Sequence, residues 1–349
     1  MPKPLLPGRE PVGGRIGPLV RPSGPLGPAC AARMAEPPAR ACPCFDAVMT
    51  ADRRSRLRAC HLYLVASVPE AADPSDPPAF WWTAVEASVR GGAGAVQLRA
   101  KQASTDQRCR LVALARQRLG PKVLLIINDD LRAARCDDAD GLHLGREDAE
   151  RLGQQYFEPD PGEELTWGAL GLELFASTER RPEADGPAQP DLGTLLGGLG
   201  PAGCASPGSD SPADRRCMGL LVARGGLGPT KLLGTSTRDA GEIRRALSGL
   251  ADHVGFGAMA VSGTKPDATL ADPLELRSCG RRFAQLPVFP IGGVDSRTLG
   301  RVLDANLDRA AVGAALMDAE DPWALASELL RRLTHDRLRR ADQDGAAGA

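Results

Sequence analysis

From residue 61 onward, short apolar runs alternate with longer stretches of helical period. HLYLVAS (61–67) precedes a helix near 79–91, AVQLR (95–99) one near 104–119, and KVLLIIND (122–129) a short one near 130–136, after which comes DGLHLG (140–145). Beyond an interruption, KLLGTS (231–236) leads to a helix near 238–248, HVGFGAM (253–259) to one near 271–284, and PVFPIGG (287–293) to one near 297–306. RAAVGAAL (309–316) and a helix near 322–339 close the series. The runs are apolar on both faces, as parallel strands covered by helices are. Eight such units in this span predict an α/β fold of the closed (β/α)8 TIM-barrel kind rather than an open sheet.

The flanks read differently. Residues 1–57 place Pro and Gly every few positions without any period, which predicts a disordered Pro/Gly/Arg-rich tail, with Met34 and Met49 as alternative starts. The barrel domain is expected over 58–340, followed by a disordered C-terminal tail at 341–349. Within the barrel, residues from about 155 to 225 include EADGPAQPDLGTLLGGLGPAGCASPGSDSPADRR. That span is several times longer than a connection with one helix needs, so it predicts a low-complexity insertion between the fourth and fifth strands.

Composition narrows the function classes. A formal net charge of −1 over 349 residues gives no global field for nucleic acid or an anionic membrane, and 4% aromatic residues give little for base stacking. No apolar run reaches the roughly 18–20 residues of a membrane span. The expected partners are small molecules, with no nucleic acid and no membrane; oligomeric state is left open. Nine cysteines are scattered without paired zinc spacing. Their odd number, with no secretory apolar region, predicts a reducing, cytoplasmic location.

In such barrels the chemistry sits at the C-terminal ends of the strands. Those ends carry Gln97, Arg99 and Lys101, then Asn128 and Asp129, then His143 leading to Asp148, then Ser236, then Ser262, Thr264 and Lys265, and finally Gly292-Gly293 and Gly313-Ala314. Arg99, Lys101 and Lys265 are cations from different strands that could converge on a polyanion. Asp129 and Asp148 beside them suit a hard divalent metal, since Mg²⁺ takes one or two carboxylates plus substrate phosphates. The glycines and small residues after the seventh and eighth strands suit a phosphate held by backbone N–H groups. Two anion-binding regions imply two phosphorylated substrates, or one with phosphates at both ends. His143 reads equally as a core or a rim residue. Asp137, Asp138 and Asp140 read as a solvated turn before the fourth strand.

VQLRAK, LIINDD, ADGLHLGREDAE, LLGTST, ADHVGFGAMAVSGTKPDA and VFPIGGV occur in that order. Together they closely resemble the thiamine-phosphate synthase family of TIM-barrel transferases, over about residues 60–320 without the interruption. The resemblance implies condensation of 4-amino-2-methyl-5-hydroxymethylpyrimidine diphosphate with hydroxyethylthiazole phosphate, giving thiamine phosphate and diphosphate. It implies that Gln97, Arg99, Lys101, Asn128, Ser236 and Lys265 hold the pyrimidine diphosphate, with His143 near the pyrimidine. Asp129 and Asp148 would hold Mg²⁺, and Ser262, Thr264 and Gly293 would bind the thiazole phosphate, with Gly313 and Ala314 beside it on the reading of the small residues after the eighth strand. Arg99, Lys101, Ser236 and Lys265 are the residues it places closest to the chemistry. Departures from the family pattern fall at Ala100, where an acidic residue is usual, at the SGTK loop, at Ala314 for a serine and at Arg309 for a glycine. Two other readings stand beside the synthase: a thiazole tautomerase paralogue, and a non-catalytic barrel that binds a phosphorylated metabolite.

Overall fold

The structure, a computed structural model, describes residues 52–157, 211–260, 270–283 and 285–347, the side chains of 156–157 and 336–347 excepted. Eight parallel strands form one sheet: β1 (Leu62–Ser67), β2 (Ala95–Arg99), β3 (Leu124–Asn128), β4 (Gly141–Leu144), β5 (Leu232–Thr237), β6 (His253–Gly257), β7 (Val288–Ile291) and β8 (Ala310–Val312). Their order is β7-β6-β5-β4-β3-β2-β1-β8, and the two ends, β7 and β8, lie side by side. The sheet therefore curls into a nearly closed TIM barrel, as the alternation of runs and helices predicts.

Helices follow the strands on the outside. They are α1 (residues 52–58) ahead of β1, α2 (Ala79–Arg90), α3 (Thr105–Leu119), α4 (Leu131–Ala134) and α5 (Arg146–Phe157). After the interruption come α6 (Pro212–Leu227), α7 (Ala240–Ser248), α8 (Pro273–Arg282), α9 (Leu299–Asp304), α10 (Ala314–Met317) and α11 (Pro322–Ala347). Their starts are written in the sequence. Ser104 opens α3 with a capping box completed by Gln107, Asp130 caps α4, Ser211 with Pro212 starts α6, and Asp239 caps α7. Each side-chain cap satisfies an otherwise orphaned backbone N–H and is worth about 1 kcal/mol.

Strand alternation sorts the side chains. Tyr63, Ala95, Leu124, Ile126, Leu232, Phe289 and Ala311 pack as one buried cluster inside the barrel. Leu64, Val96, Leu98, Leu125, Ile127, Leu142, Leu233 and Val254 form the larger layer beneath the helices. Each such side chain, fully buried, contributes roughly 1.5–3 kcal/mol. Continued one step up the inner face, the same period puts Gln97, Arg99, Asn128, His143 and Ser236 on inward positions. The pairings Asn128↔His143 and Val65↔Gln97 hold them level.

The boundaries differ from the sequence reading in four places. The barrel begins earlier than residue 58: α1 lies under the N-terminal ends of the strands, with Leu57 only 1% exposed. Arg53 of α1 reaches Asp140 and Arg54 reaches Asp252. Asp140 is accordingly not part of a solvated turn. It is buried, pairs also with Arg116, and accepts the N–H of Leu125. The third difference lies in the expected insertion: residues 212–225 belong to α6, which packs along α5. Gly153 and Gly219 make that close crossing possible, since a Cβ on either would lie 1.8 Å from a facing backbone oxygen. Lastly, α11 continues through the expected C-terminal tail to Ala347, so residues 341–347 are helical. Residues 1–51 with Met34 and Met49, the middle of the insertion at 158–210, and residues 348–349 lie outside the described residues.

A disulfide joins Cys109 on α3 to Cys136 in the turn after α4. Cys60 and Cys279 are free and buried. Among the described residues no helix is long and apolar enough to cross a membrane.

Candidate active site

At the end of β3 the chain turns sharply. Asp129 adopts φ 60°, a left-handed conformation that an aspartate tolerates better than most residues. Its backbone N–H is held by the carbonyl of His143 at 3.0 Å. The next residue, Asp130, anchors the corner by capping α4 and accepting hydrogen bonds from Thr105 and Arg108, both at 2.9 Å. The conformation turns the Asp129 carboxylate toward the mouth of the barrel, where its Oδ1 accepts the Gly145 N–H at 2.7 Å.

Asp148 enters from the first turn of α5. A Cβ built on Gly145 would lie 3.0 Å from Oδ2 of Asp148 and 3.4 Å from Oδ1 of Asp129. The missing side chain at Gly145 is thus the space into which both carboxylates point. Burial, and then the Asp148 carboxylate, push the Asp129 carboxyl up to about 6, against the Gly145 hydrogen bond and Arg99, which pull it down. Two crowded carboxylates that resist sharing charge are a donor set that a divalent cation would relieve. Arg151 already pairs with Asp148 from the solvent side.

Below this pair lies a polar layer inside the barrel. Gln97 donates to the Tyr63 hydroxyl at 3.2 Å, and Asn128 donates to the His143 carbonyl at 3.4 Å. Nε2 of His143 lies 3.1 Å from Oγ of Ser236. Burial, and secondly the neighbouring His253, push His143 down to about 3, so the ring is neutral. Glu242, buried on α7, accepts from Arg146 of α5 and from the N–H of Arg238. That brace ties the corner after β4 to the one after β5, which carries Ser236.

Toward β1 and β8 the mouth widens into a cavity of about 350 Å³, lined by Ser67, Arg99, Lys101, Ala314 and Met317 among others. Lys101 is exposed there. Gly292 and Gly293, with φ 89° and 67°, turn the chain after β7. Side chains are barred at both, because a Cβ would come within 3.0 Å of Ala258 and 2.8 Å of Ala260 respectively. Gly313 precedes α10, whose first residue, Ala314, is exposed. The structure therefore brings Gln97, Arg99, Asn128, Asp129, His143, Asp148 and Ser236 together, and sets Lys101, Gly313 and Ala314 beside them on the cavity side. Ser262, Thr264 and Lys265 fall outside the described residues. Tyr63 and His253 are interior groups that a reading of strand ends passes over. Their signal was alternation, since both lie on inward positions below the rim.

Fold and rim together define a TIM barrel with a carboxylate pair and a polar pocket at the C-terminal face. A family model described as thiamine monophosphate synthase matches residues 72–158 and 215–316, with a gap where the insertion lies. The chain belongs to that family. A thiamine-phosphate synthase of Thiobacillus denitrificans is 32% identical over 252 residues, covering 71% of this chain and 85% of its own. One from Halorhodospira halophila is 31% identical over 257 residues, covering 73% and 89%. A relative of the same name from Nostoc sp. is 27% identical over 82% of this chain, which spans 59% of that protein's length. Among solved structures, a thiamine phosphate pyrophosphorylase from Pyrococcus furiosus aligns at 21% identity with a TM-score of 0.48, covering 81% of this chain and 98% of that one.

Proposed function

We propose that this chain is a transferase that makes thiamine phosphate, joining the pyrimidine diphosphate to the thiazole phosphate with release of diphosphate. The observation that carries the reading is the convergence of Asp129 and Asp148 over Gly145, with Arg99 close enough to act on the Asp129 carboxyl. A tautomerase acting on the thiazole phosphate alone has no need of that arrangement. In the same reading Asp129 and Asp148 hold Mg²⁺, which when bound neutralises charge on the diphosphate.

The chain's own residues then divide the work. Arg99 and Lys101, with Lys265, face the diphosphate, and their positive charge stabilises the negative charge that grows on it as the carbon–oxygen bond breaks. Gln97 is fixed by Tyr63 and Asn128 by the His143 carbonyl, so both present preset hydrogen-bonding groups to the pyrimidine. Ser236, held by neutral His143, faces the pyrimidine's amino side. Ser262, Thr264, Gly293 and the Gly313-Ala314 corner hold the thiazole phosphate. No side chain serves as covalent nucleophile. The walls exclude water from a cation that the thiazole nitrogen captures.

The test is end-point synthesis of thiamine phosphate from the two phosphorylated precursors, with Mg²⁺ or with EDTA, beside Asp129→Ala. Product that requires Mg²⁺ and is lost in a folded Asp129→Ala protein is the expected result. Absence of product from folded wild-type protein that still binds thiazole phosphate would sink the synthase reading.

A further inference from the structure

His253 has no part in the reaction outlined above. Its ring is fully buried inside the barrel, edge-on to Tyr63 and Phe289 with centroids 5.8 and 6.0 Å away. The ring of His143 lies 5.6 Å off, tilted by 41°. Neither ring nitrogen of His253 has a protein hydrogen-bond partner, and neither does Nδ1 of His143. Unpaired polar groups in a core are costly, and an aromatic hydrocarbon would fill the same space without that cost. Three such nitrogens side by side therefore call for an explanation.

Gly234 supplies the geometry. A Cβ there would lie 2.2 Å from Nε2 of His253 and 2.9 Å from Nδ1 of His143, so the strand has no side chain where the two rings approach. Because one point lies that close to both atoms, the two nitrogens are at most about 5 Å apart, no farther than one water can bridge with two ordinary hydrogen bonds. The other nitrogen of His143 already meets Ser236. A hydrogen bond on one side of a histidine decides which tautomer the other side presents.

We propose that His253 is a positioning residue for His143: through one buried water it holds the His143 proton on Nδ1, leaving Nε2 to accept the Ser236 hydroxyl. Ser236 then turns its oxygen lone pairs outward, toward a mouth that carries Arg99 and, on the reading of the site given above, toward the amino group of a pyrimidine that becomes cationic. The relay His253–water–His143–Ser236 fixes an acceptor in place before substrate arrives.

The decisive readout needs no substrate. Long-range ¹H–¹⁵N correlation spectra of the ligand-free protein, with its four histidines assigned by substitution, report the tautomer of His143. The wild type is expected to carry the proton on Nδ1, and His253→Phe to lose that preference while keeping its melting temperature within a few degrees. His253→Gln, which keeps a hydrogen-bonding group, should restore it in part. In the synthesis assay His253→Phe should lower kcat by roughly tenfold, the lower end for loss of an outer-shell partner, with KM for the pyrimidine diphosphate little changed. The same substitution should add almost nothing in a Ser236→Ala background. Wild-type His143 protonated on Nε2, or an unchanged tautomer in folded His253→Phe, overturns the proposal. If no variant and no wild-type protein makes thiamine phosphate, the functional reading fails while the tautomer result still decides the role of His253.

Discussion

Asp129 concentrates the electrostatics of the rim in one residue. Burial and the Asp148 carboxylate raise its carboxyl to about 6 from an ordinary 3.8, so without metal the folded state binds a proton more tightly than the unfolded chain does. Between about pH 4 and pH 6 the metal-free protein should therefore lose stability as pH rises, and the penalty is complete above pH 6. Asp129→Asn removes the charge that is penalised. It should raise the melting temperature of EDTA-treated protein at about pH 8, have little effect near pH 4, and abolish the stabilisation that the proposed Mg²⁺ site predicts for the wild type. That Mg²⁺ stabilisation should itself fade below pH 6, because the metal must displace a proton. A lower melting temperature for Asp129→Asn at high pH, or an undiminished response to Mg²⁺, would mean that the two carboxylates are not the strained pair their geometry describes.

Among the elements, α1 shows how a segment that looks like tail belongs to the fold. Its Leu57 enters the cluster inside the barrel with Cys60, Tyr63 and Phe289. Leu57→Ala should cost about 2–5 kcal/mol in denaturant unfolding, whereas Arg58→Ala on the exposed side should stay within about 0.5 kcal/mol. Equal, small effects would show that α1 is not part of the cooperative unit. The helix escaped the sequence reading because ADRRSRLRAC offers a single apolar anchor among arginines, and its partners Asp140 and Asp252 lie far along the chain. The strands were legible for the opposite reason: VQLR, LLIIN and LLGTS carry their own pattern, and Gln97, Asn128 and Ser236 stand out as the polar residues at their C-terminal ends. α6 fell between these cases. Its apolar core, CMGLLVA, is intelligible only against α5, where Gly153 meets it. Interior His253 was missed because the reading followed polar groups at the C-terminal ends of strands, whereas His253 opens β6 and is placed inward only by alternation with Val254 and Phe256 of the outer layer.

For the whole molecule, the ends of the barrel are held by different means. The N-terminal end is closed by charge: Arg54 and Arg224 converge on Asp252, and although burial alone would raise that carboxyl, the two guanidiniums hold it below the usual range. The sides are held by packing, and between α3 and the turn after α4 also by the bond of Cys109 to Cys136. This bond spans a separation of 27 residues, and on a loop-entropy estimate a closed loop of that size stabilises the fold by about 3–4 kcal/mol. Cys109 follows Arg108, whose pair with Asp130 sets the corner carrying Asp129. Reductant should therefore lower the melting temperature of the wild type, and the double substitution Cys109→Ala, Cys136→Ala should lower it without reductant and leave a smaller further drop when reductant is added, because Cys217 on α6 is disulfide-bonded as well. Cys60 is a built-in control, since burial pushes its thiol up to about 12, so it should resist alkylation until the protein unfolds. Unchanged melting in reductant, with Cys109 and Cys136 alkylated in the untreated native protein, would show that the two thiols are free in solution and that packing alone holds the corner beneath the carboxylate pair.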